Sequence, residues 1–291
     1  MITVSVIIPN YNHATYLKQR IESVFSQSFT DFEIILLDDY STDNSRELIE
    51  QYRNHTKVSH LVYNEVNSGS TFYQWEKGLV LAKGKYIWIA ESDDFCAPDF
   101  LELLVHALDK DNELALAYAK TMRVDEEGAL IGDLAFWYND LSKIRWTKSY
   151  KATGNNEIRK YLSIKNTIPN ASAVLFRKSA LKAFDKAILN FKVCGDWYFW
   201  VQLIKNHKLA YVAGTTNYFR THTASVRASK GDATLIDKET AMIRDYITVQ
   251  KIMTEQEIVL RLAKHEKDSF IITGKRKIRS LLGTIKRSIV K

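Results

Sequence analysis

Cysteine is nearly absent from this chain. Cys96 and Cys194 are the only two in 291 residues, which excludes a disulfide framework, and no zinc-ligand spacing surrounds them. Both read as small buried hydrophobes. Glycine is missing where phosphate-binding loops need it. The eleven glycines never form G-x-G-x-x-G, which excludes a dinucleotide fingerprint, nor G-x-x-x-x-G-K-[ST], which excludes a P-loop. Any nucleotide held here has its diphosphate neutralised by metal and side chains instead of a glycine cradle. No run of about 18 apolar residues is long enough to span a bilayer. The first residues show neither the basic region nor the apolar run of a signal peptide. A cytoplasmic protein is therefore expected. No internal repeat or low-complexity segment is present.

Acid is missing from one place. Residues 269–291 carry Lys275, Arg276, Lys277, Arg279, Lys286, Arg287 and Lys291 without a single Asp or Glu, leaving 34 basic against 34 acidic residues in the rest. A neutral body argues against a nucleic-acid partner, which would call for a basic face within the fold. In the tail, Ile278, Leu281, Leu282, Ile285 and Ile289 recur at near-helical spacing. Segment 275–291 reads either as a helix lying on an anionic membrane or as a frayed, solvated one.

What the chain does contain is a soluble globular composition, 46% hydrophobic and 26% charged, long enough for one large domain or two small ones. The apolar run Val4–Ile8 predicts a buried parallel strand, ended by Pro9-Asn10-Tyr11-Asn12 and followed by a helix bearing Tyr16, Leu17, Ile21, Val24 and Phe25. The same alternation follows twice more. Phe32–Leu37 ends in Asp38-Asp39-Tyr40-Ser41-Thr42-Asp43, and Val58–Tyr63 leads to the stretch from Asn64 to Ser70. The fourth strand, Tyr86–Ala90, ends abruptly in Glu91, Asp93 and Asp94, and Pro98 precedes an amphipathic pattern beginning at Asp99. Strand and helix alternating with short connections predict an α/β fold with a mainly parallel sheet. Ligands bind at the carboxyl ends of strands in such sheets. Crowded carboxylates repel unless a cation neutralises them, so the Glu91–Asp94 turn reads as a divalent-metal site, or otherwise as an acidic turn capping the next helix.

Beyond Leu114 the alternation lapses. Leu114–Val124 reads as a strand and 125–128 as a turn, while 129–156 has no clean period and reads as a mobile loop. Ile158–Ile164 looks helical, and Pro169–Phe176 is a loop entering a strand. Asp196 precedes a strongly apolar helix, where it is at least an N-cap. Tyr211–Ala213 is a short strand, and 236–268 is helical in pattern. Trp75 and Trp88 read as core.

In this order, these segments resemble the inverting family 2 glycosyltransferases of the GT-A fold. The resemblance rests on Val4-Ser-Val-Ile-Ile-Pro-Asn-Tyr-Asn12, Glu33-Ile-Ile-Leu-Leu-Asp-Asp-Tyr-Ser-Thr-Asp43, and Asn67-Ser-Gly69. It continues through Ala82-Lys-Gly84, Glu91-Ser-Asp-Asp94, Gly195-Asp-Trp-Tyr-Phe-Trp200 and Tyr218-Phe-Arg-Thr-His-Thr-Ala-Ser225. It covers roughly residues 1–230. Two positions depart from the family pattern: Glu91 stands for the usual Asp, and Gly195 precedes Asp196 where many members carry Glu.

The resemblance implies a mixed, mainly parallel sheet flanked by helices. Residues 1–230 would form the transferase domain, with a nucleotide half (1–113) and an acceptor half (114–230), and 231–291 a helical, basic extension. The implied reaction moves a hexosyl or N-acetylhexosaminyl group from a nucleoside diphosphate, taken as UDP, to an acceptor hydroxyl in cell-surface polysaccharide or lipopolysaccharide synthesis. Mg²⁺ or Mn²⁺ would bridge the leaving diphosphate, with Asp94 as its protein ligand and His222 a further one. Asp93 would touch the ribose or a metal-bound water. Asp39 would accept from the base, with Pro9, Tyr11, Asn12, Asn67 and Gly69 around base and ribose. Asp38 is structural. Asp196 would be the general base, beside Trp197 and Trp200. Trp197, Arg220, Asn170 and Ser172 are expected around the diphosphate and acceptor. The acceptor would be a glycan or lipid-linked glycan, the latter consistent with tail 275–291 on the inner face of the cytoplasmic membrane. A non-catalytic binding module of the same fold, or a nucleotidyltransferase, are the competing readings; the second would call for a glycine-rich basic loop where Pro9-Asn-Tyr-Asn12 stands.

Overall fold

The computed structural model describes residues 2–222 and 233–268. Residues 223–225 of the late motif and the basic segment 275–291 lie outside the described residues. Among those described, no helix is long and apolar enough to cross a membrane.

One sheet runs through the molecule in the order β3-β2-β1-β4-β9-β6-β10-β5. Its first half is β1 (Val4–Asn10), β2 (Phe32–Asp38), β3 (Val58–Tyr63) and β4 (Tyr86–Ile89), all parallel. Helices α1 (Ala14–Phe25), α2 (Ser45–Glu50) and α3 (Thr71–Leu81) connect them. After the two-residue β5 (Phe95–Cys96) and α4 (Phe100–Asp109) come β6 (Leu114–Val124), β7 (Leu130–Asp133), α5 (Ala135–Tyr138), β8 (Tyr150–Thr153), α6 (Gly154–Glu157) and β9 (Val174–Arg177). Helix α7 (Gly195–Ile204), β10 (Lys208–Arg220) and α8 (Ala233–Val249) follow, and residues 255–268 are helical.

Side-chain alternation along each strand feeds two cores. Val4, Val6 and Ile8 of β1, with Tyr86, Trp88 and Ala90 at β4, pack on one face against Leu17 and Ile21 of α1 and Phe100 and Leu104 of α4. Ile7, Ile35, Ile87 and Ile89 point the other way, onto Phe72 and Trp75 of α3 and Trp200 of α7. Both faces are covered, which is why these strands read as continuous apolar runs. Ile243 and Ile247 of α8, with Ile252, Met253 and Ile258, belong to that second core.

Strand β9 is antiparallel to both β4 and β6, while β10 is parallel to β6. Strands β4, β6 and β10 therefore end at the same edge as β1 and β2, and β9 begins there. That reversal brings the loop before β9 to the ligand edge.

Two expectations are corrected. The region 129–156 is not a structureless loop: β7 pairs with β6 and β8 with β10. Its ordering comes from aromatic and charged packing that has no sequence period, such as the Arg145 guanidinium 3.8 Å from the Tyr150 ring centroid and paired with Glu157. Likewise β10 runs for 13 residues, not three. Its register with β6 shifts between Val212 and Thr216, and that bulge breaks the hydrophobic alternation.

Candidate active site

At the end of β2 two adjacent carboxylates do different work. Asp38 accepts from Asn10 Nδ2 (3.2 Å), the Ser41 amide (3.0 Å) and Arg46 Nε (2.7 Å), and is fully buried. It locks β1 to the β2–α2 turn. Asp39 faces the other way, toward the loop before α3. Its Oδ1 accepts from Asn64 Nδ2 (2.5 Å), the Ser68 amide (3.0 Å) and Gln74 Nε2 (2.8 Å), while Oδ2 takes the Ser68 hydroxyl (2.6 Å). Asn67 Nδ2 donates to the Asp39 carbonyl (3.1 Å), and its Oδ1 accepts from the amide of Gly69. Gly69 sits at φ 76°, backbone that glycine adopts without a Cβ penalty. Asn12, also left-handed at φ 55°, accepts from the Thr42 amide at 2.7 Å. Tyr11 and Tyr40 stand exposed, at 46% and 45%, on either side of this loop cluster.

The turn after β4 places its three acids in three environments. The Glu91 carboxyl accepts from Trp75 Nε1 at 2.8 Å; burial, then the charge of Asp93, pushes its pKa up to about 8. Asp94 is 2% exposed and accepts from Asn170 Nδ2 and the Arg220 amide, both at 2.9 Å. Burial, followed by Asp93, raises it to about 6. For Asp93 burial also acts upward, but the His222 hydrogen bond (3.0 Å) and the His13 and His222 charges outweigh it and hold the group below the usual carboxylate range. Asp93 is thus the most acidic of the three, and Glu91 the one that keeps its proton at neutral pH.

His13, Asp93 and His222 each offer one ligand atom, and these lie within 4.8 Å of one another. His13 sits just before α1, where Asp43 caps the Ala14 amide at 2.9 Å. Its Nδ1 engages Ser92 Oγ (2.8 Å), leaving Nε2 for a ligand. Burial lowers its pKa, so the imidazole is neutral, the form that binds metal. Among the described residues, His222 Nδ1 is buried without a hydrogen-bond partner. Two imidazoles, a depressed carboxylate and an orphaned ring nitrogen fit a divalent cation. Such an ion would supply Lewis-acid stabilisation to a leaving diphosphate.

Asp196 opens α7. Its Oδ2 accepts from Asn166 Nδ2 at 3.0 Å and its Oδ1 from the Trp197 amide at 2.7 Å. Asn166 and Asn170 are the two ends of one short segment, so Asp196 and Asp94 are each hydrogen-bonded to that segment. Four residues of chain span at most roughly 14 Å. That segment, which enters β9 at the ligand edge, links Asp196 to the acidic turn. From below, Gly195 abuts the Phe72 ring so closely that a Cβ there would lie 2.4 Å from it.

Comparison with known proteins fits this arrangement. The Glycosyl transferase family 2 model matches residues 5–184. The chain belongs to glycosyl transferase family 2. It is 37% identical over 135 residues to a chondroitin synthase of Escherichia coli, covering 46% of this chain and 19% of that protein. It is 40% identical over 99 residues to the putative teichuronic acid biosynthesis glycosyltransferase TuaG of Bacillus subtilis, covering 34% of this chain and 39% of that one. The chain thus spans well under half the length of either relative. In structure it is similar to residues 1–349 of S. aureus TarS in complex with UDP-GlcNAc, with TM-score 0.68 and 21% identity over 92% of this chain and 72% of TarS 1–349. That likeness shows the GT-A type fold.

Within this family 2 transferase, several expected residues sit elsewhere than expected. Trp197 is buried, its indole donating to the Leu162 carbonyl at 3.0 Å, so it is core and not an acceptor platform. Arg220 does not reach toward a diphosphate. Its guanidinium, with the residue 2% exposed, donates to the carbonyls of Asp93 (2.9 Å), Asp125 (3.0 Å) and Glu126 (2.6 Å) and to Gln19, and lies over Tyr16. Each of its three nitrogens donates inward. Asn170 and Ser172 are buried too: Asn170 orients Asp94, and Ser172 Oγ accepts from the Glu91 amide at 3.0 Å. Trp75 and Trp88 are core, as expected. Sequence reasoning passed over His13, Gln74, Asn64 and Asn166. His13 alone carried a signal, as a potential ligand directly after the turn that ends the first strand.

Proposed function

We propose that this transferase moves a sugar from a UDP-linked donor to an acceptor hydroxyl with inversion, in the synthesis of a cell-surface polysaccharide. The observation that carries the reading is the pairing of a metal-competent triad, His13–Asp93–His222, with a carboxylate, Asp196, linked to the acidic turn through the 166–170 segment. Asp39, Pro9, Tyr11, Asn12, Asn67 and Gly69 frame the uracil and ribose, with Tyr11 free to stack and Asp39 both fixing the loop and accepting from the base N–H. Asp196 takes the acceptor proton as attack proceeds. Asp93 and the two histidines would hold the cation, with Asp94 adding negative charge beside them. The nitrogen-rich donor set favours Mn²⁺ over Mg²⁺, which prefers oxygen. Residues 1–113 serve as the nucleotide half and 114–230 as the acceptor half. The relatives' names, the synthase of one polysaccharide and a putative enzyme of another, support a glycan acceptor. A lipid-linked glycan would bring the enzyme to the inner face of the cytoplasmic membrane.

The test is a screen of UDP-sugars with Mn²⁺, measuring UDP release with and without glycan acceptors. Turnover with one donor is expected, abolished by EDTA and restored by Mn²⁺. Asp196→Asn should lower kcat by at least ~100-fold, as loss of a general base does. UDP binding without turnover of any donor would favour a binding module instead.

A further inference from the structure

Glu239, on α8, is 1% exposed, and among the described residues no charged side chain pairs with its carboxylate. Its oxygens accept from three consecutive backbone amides of the segment entering α7: Lys192 (2.6 Å) at Oε1, and Val193 (3.0 Å) and Cys194 (2.7 Å) at Oε2. These amides precede Gly195-Asp196 directly. Cys194 makes no side-chain cap to the helix, and a carboxylate from another helix, Glu239, joins Asp196 of the first turn near the positive end of α7. At the next residue the Phe72 ring packs against Gly195, where a Cβ would lie 2.4 Å from it. The peptide carrying Asp196 is thus held by a carboxylate and an aromatic ring. The same helix reaches the other wall of the site. Arg244 donates to the carbonyls of Ser163 and Ile164, both at 3.2 Å, just before Asn166, the hydrogen-bond partner of Asp196.

We propose that Glu239 is a positioning residue for Asp196, holding the 192–194 backbone so that the carboxylate meets the acceptor hydroxyl in line. This rests on the transferase reading, in which Asp196 is the base. A displacement of about 1 Å at a reacting group costs on the order of 100-fold, and a buried anion bound by three amides fixes backbone well below that scale. Glutamine in its place keeps the shape but loses the charge and turns an NH₂ toward amide donors.

Three measurements decide it. In Glu239→Gln, kcat should fall at least ~10-fold with donor KM and Mn²⁺–UDP affinity within ~2-fold of wild type, because the nucleotide side is untouched. Glu239→Asp, which keeps the anion, should recover part of the loss. In an Asp196→Asn background, Glu239→Gln should cost less than ~2-fold more, since residues acting through one group are not additive. Wild-type turnover in Glu239→Gln, an equal loss in the Asp196→Asn background, or a parallel loss of UDP binding would each overturn the proposal. A wild-type chain that turns over no donor refutes the transferase reading itself. Amide hydrogen exchange at residues 192–194 then judges the clamp alone: faster exchange in Glu239→Gln supports it, and unchanged exchange refutes it.

Discussion

On the side of the sheet built from β3, β2, β1 and β4 the site is assembled from neighbouring repeats of one motif, and Asp39 finds Asn64 and Gln74 only 25 and 35 residues away. On the side built from β9, β6 and β10 the partners are remote: Asn170 to Asp94 spans 76 residues, and Arg220 to the Asp93 carbonyl 127. The first side presents its polar groups at strand ends and leaves Tyr11 and Tyr40 exposed. The second spends its polar groups inward, on carbonyls and on the carboxylates of the first. The first side thus offers an exposed surface at its strand ends, and the second supplies the bracing behind it. The largest effects should separate the two. Asp93→Asn or His222→Ala should remove Mn²⁺–UDP binding and turnover together, by at least ~100-fold, whereas Asp196→Asn should remove turnover and leave Mn²⁺–UDP affinity within ~2-fold. Calorimetry beside steady-state kinetics checks this. Intact metal binding in Asp93→Asn, with loss in Asp94→Asn, would return the cation to Asp94.

A second test asks whether Arg220 is bracing. Arg220→Met leaves the carbonyls of Asp93, Asp125 and Glu126 without that donor, at a cost of about 1–3 kcal/mol for each left unsatisfied. A loss on the order of 3 kcal/mol in urea unfolding is expected, with UDP affinity of the folded fraction retained. Unchanged stability with weakened UDP binding would show instead a side chain that reaches the diphosphate.

This division also explains what could be read from the sequence. Three strands buried on both faces, β1, β2 and β4, leave continuous apolar runs, the edge strand β3 is partly buried, and the residues that follow all four fall at one edge by topology alone. The positions of Asp39, Asp93 and Asp94 were therefore legible. Nothing local marks the bulge in β10 or the pairing of β8, because their partners come from far along the chain, whereas β7 folds back on the adjacent β6 across the 125–128 turn. Arg220 and Trp197 looked like site residues because a charge and an indole beside a motif have the same letters whether they face solvent or core. Asn166 and Glu239 carry no motif at all. Their roles exist only once β9 and α8 are packed.

Gly195 offers a smaller and more local probe. Gly195→Ala places a Cβ 2.4 Å from the Phe72 ring, and overpacking of this kind costs about 1–3 kcal/mol. Thermal unfolding should show that loss, and Phe72→Leu in the same chain should recover part of it. Full wild-type stability in Gly195→Ala would mean that the Phe72 side of the Asp196 clamp yields freely.

The smallest expected effect tests the acidic turn itself, through pH. Burial, then the charge of Asp93, raises the Glu91 pKa to about 8 from an ordinary value of 4.5. Between those values the native protein holds a proton that the unfolded chain has released, so stability falls as pH rises through that window. Asp94, raised to about 6 from 3.8, adds a fall of the same sign at lower pH. Asp93 acts oppositely, gaining stability above its own low range, and is fully ionised before pH 6. Above pH 6, then, Glu91 carries the decline contributed by this turn. In EDTA, Tm should drop between pH 6 and pH 8, and Glu91→Gln should flatten that slope. Saturating Mn²⁺ should flatten it as well, since a nearby cation favours the ionised carboxyls. A slope unchanged in Glu91→Gln would show that the titrating group lies elsewhere, and a slope unchanged by Mn²⁺ would place the cation too far from the turn to neutralise it.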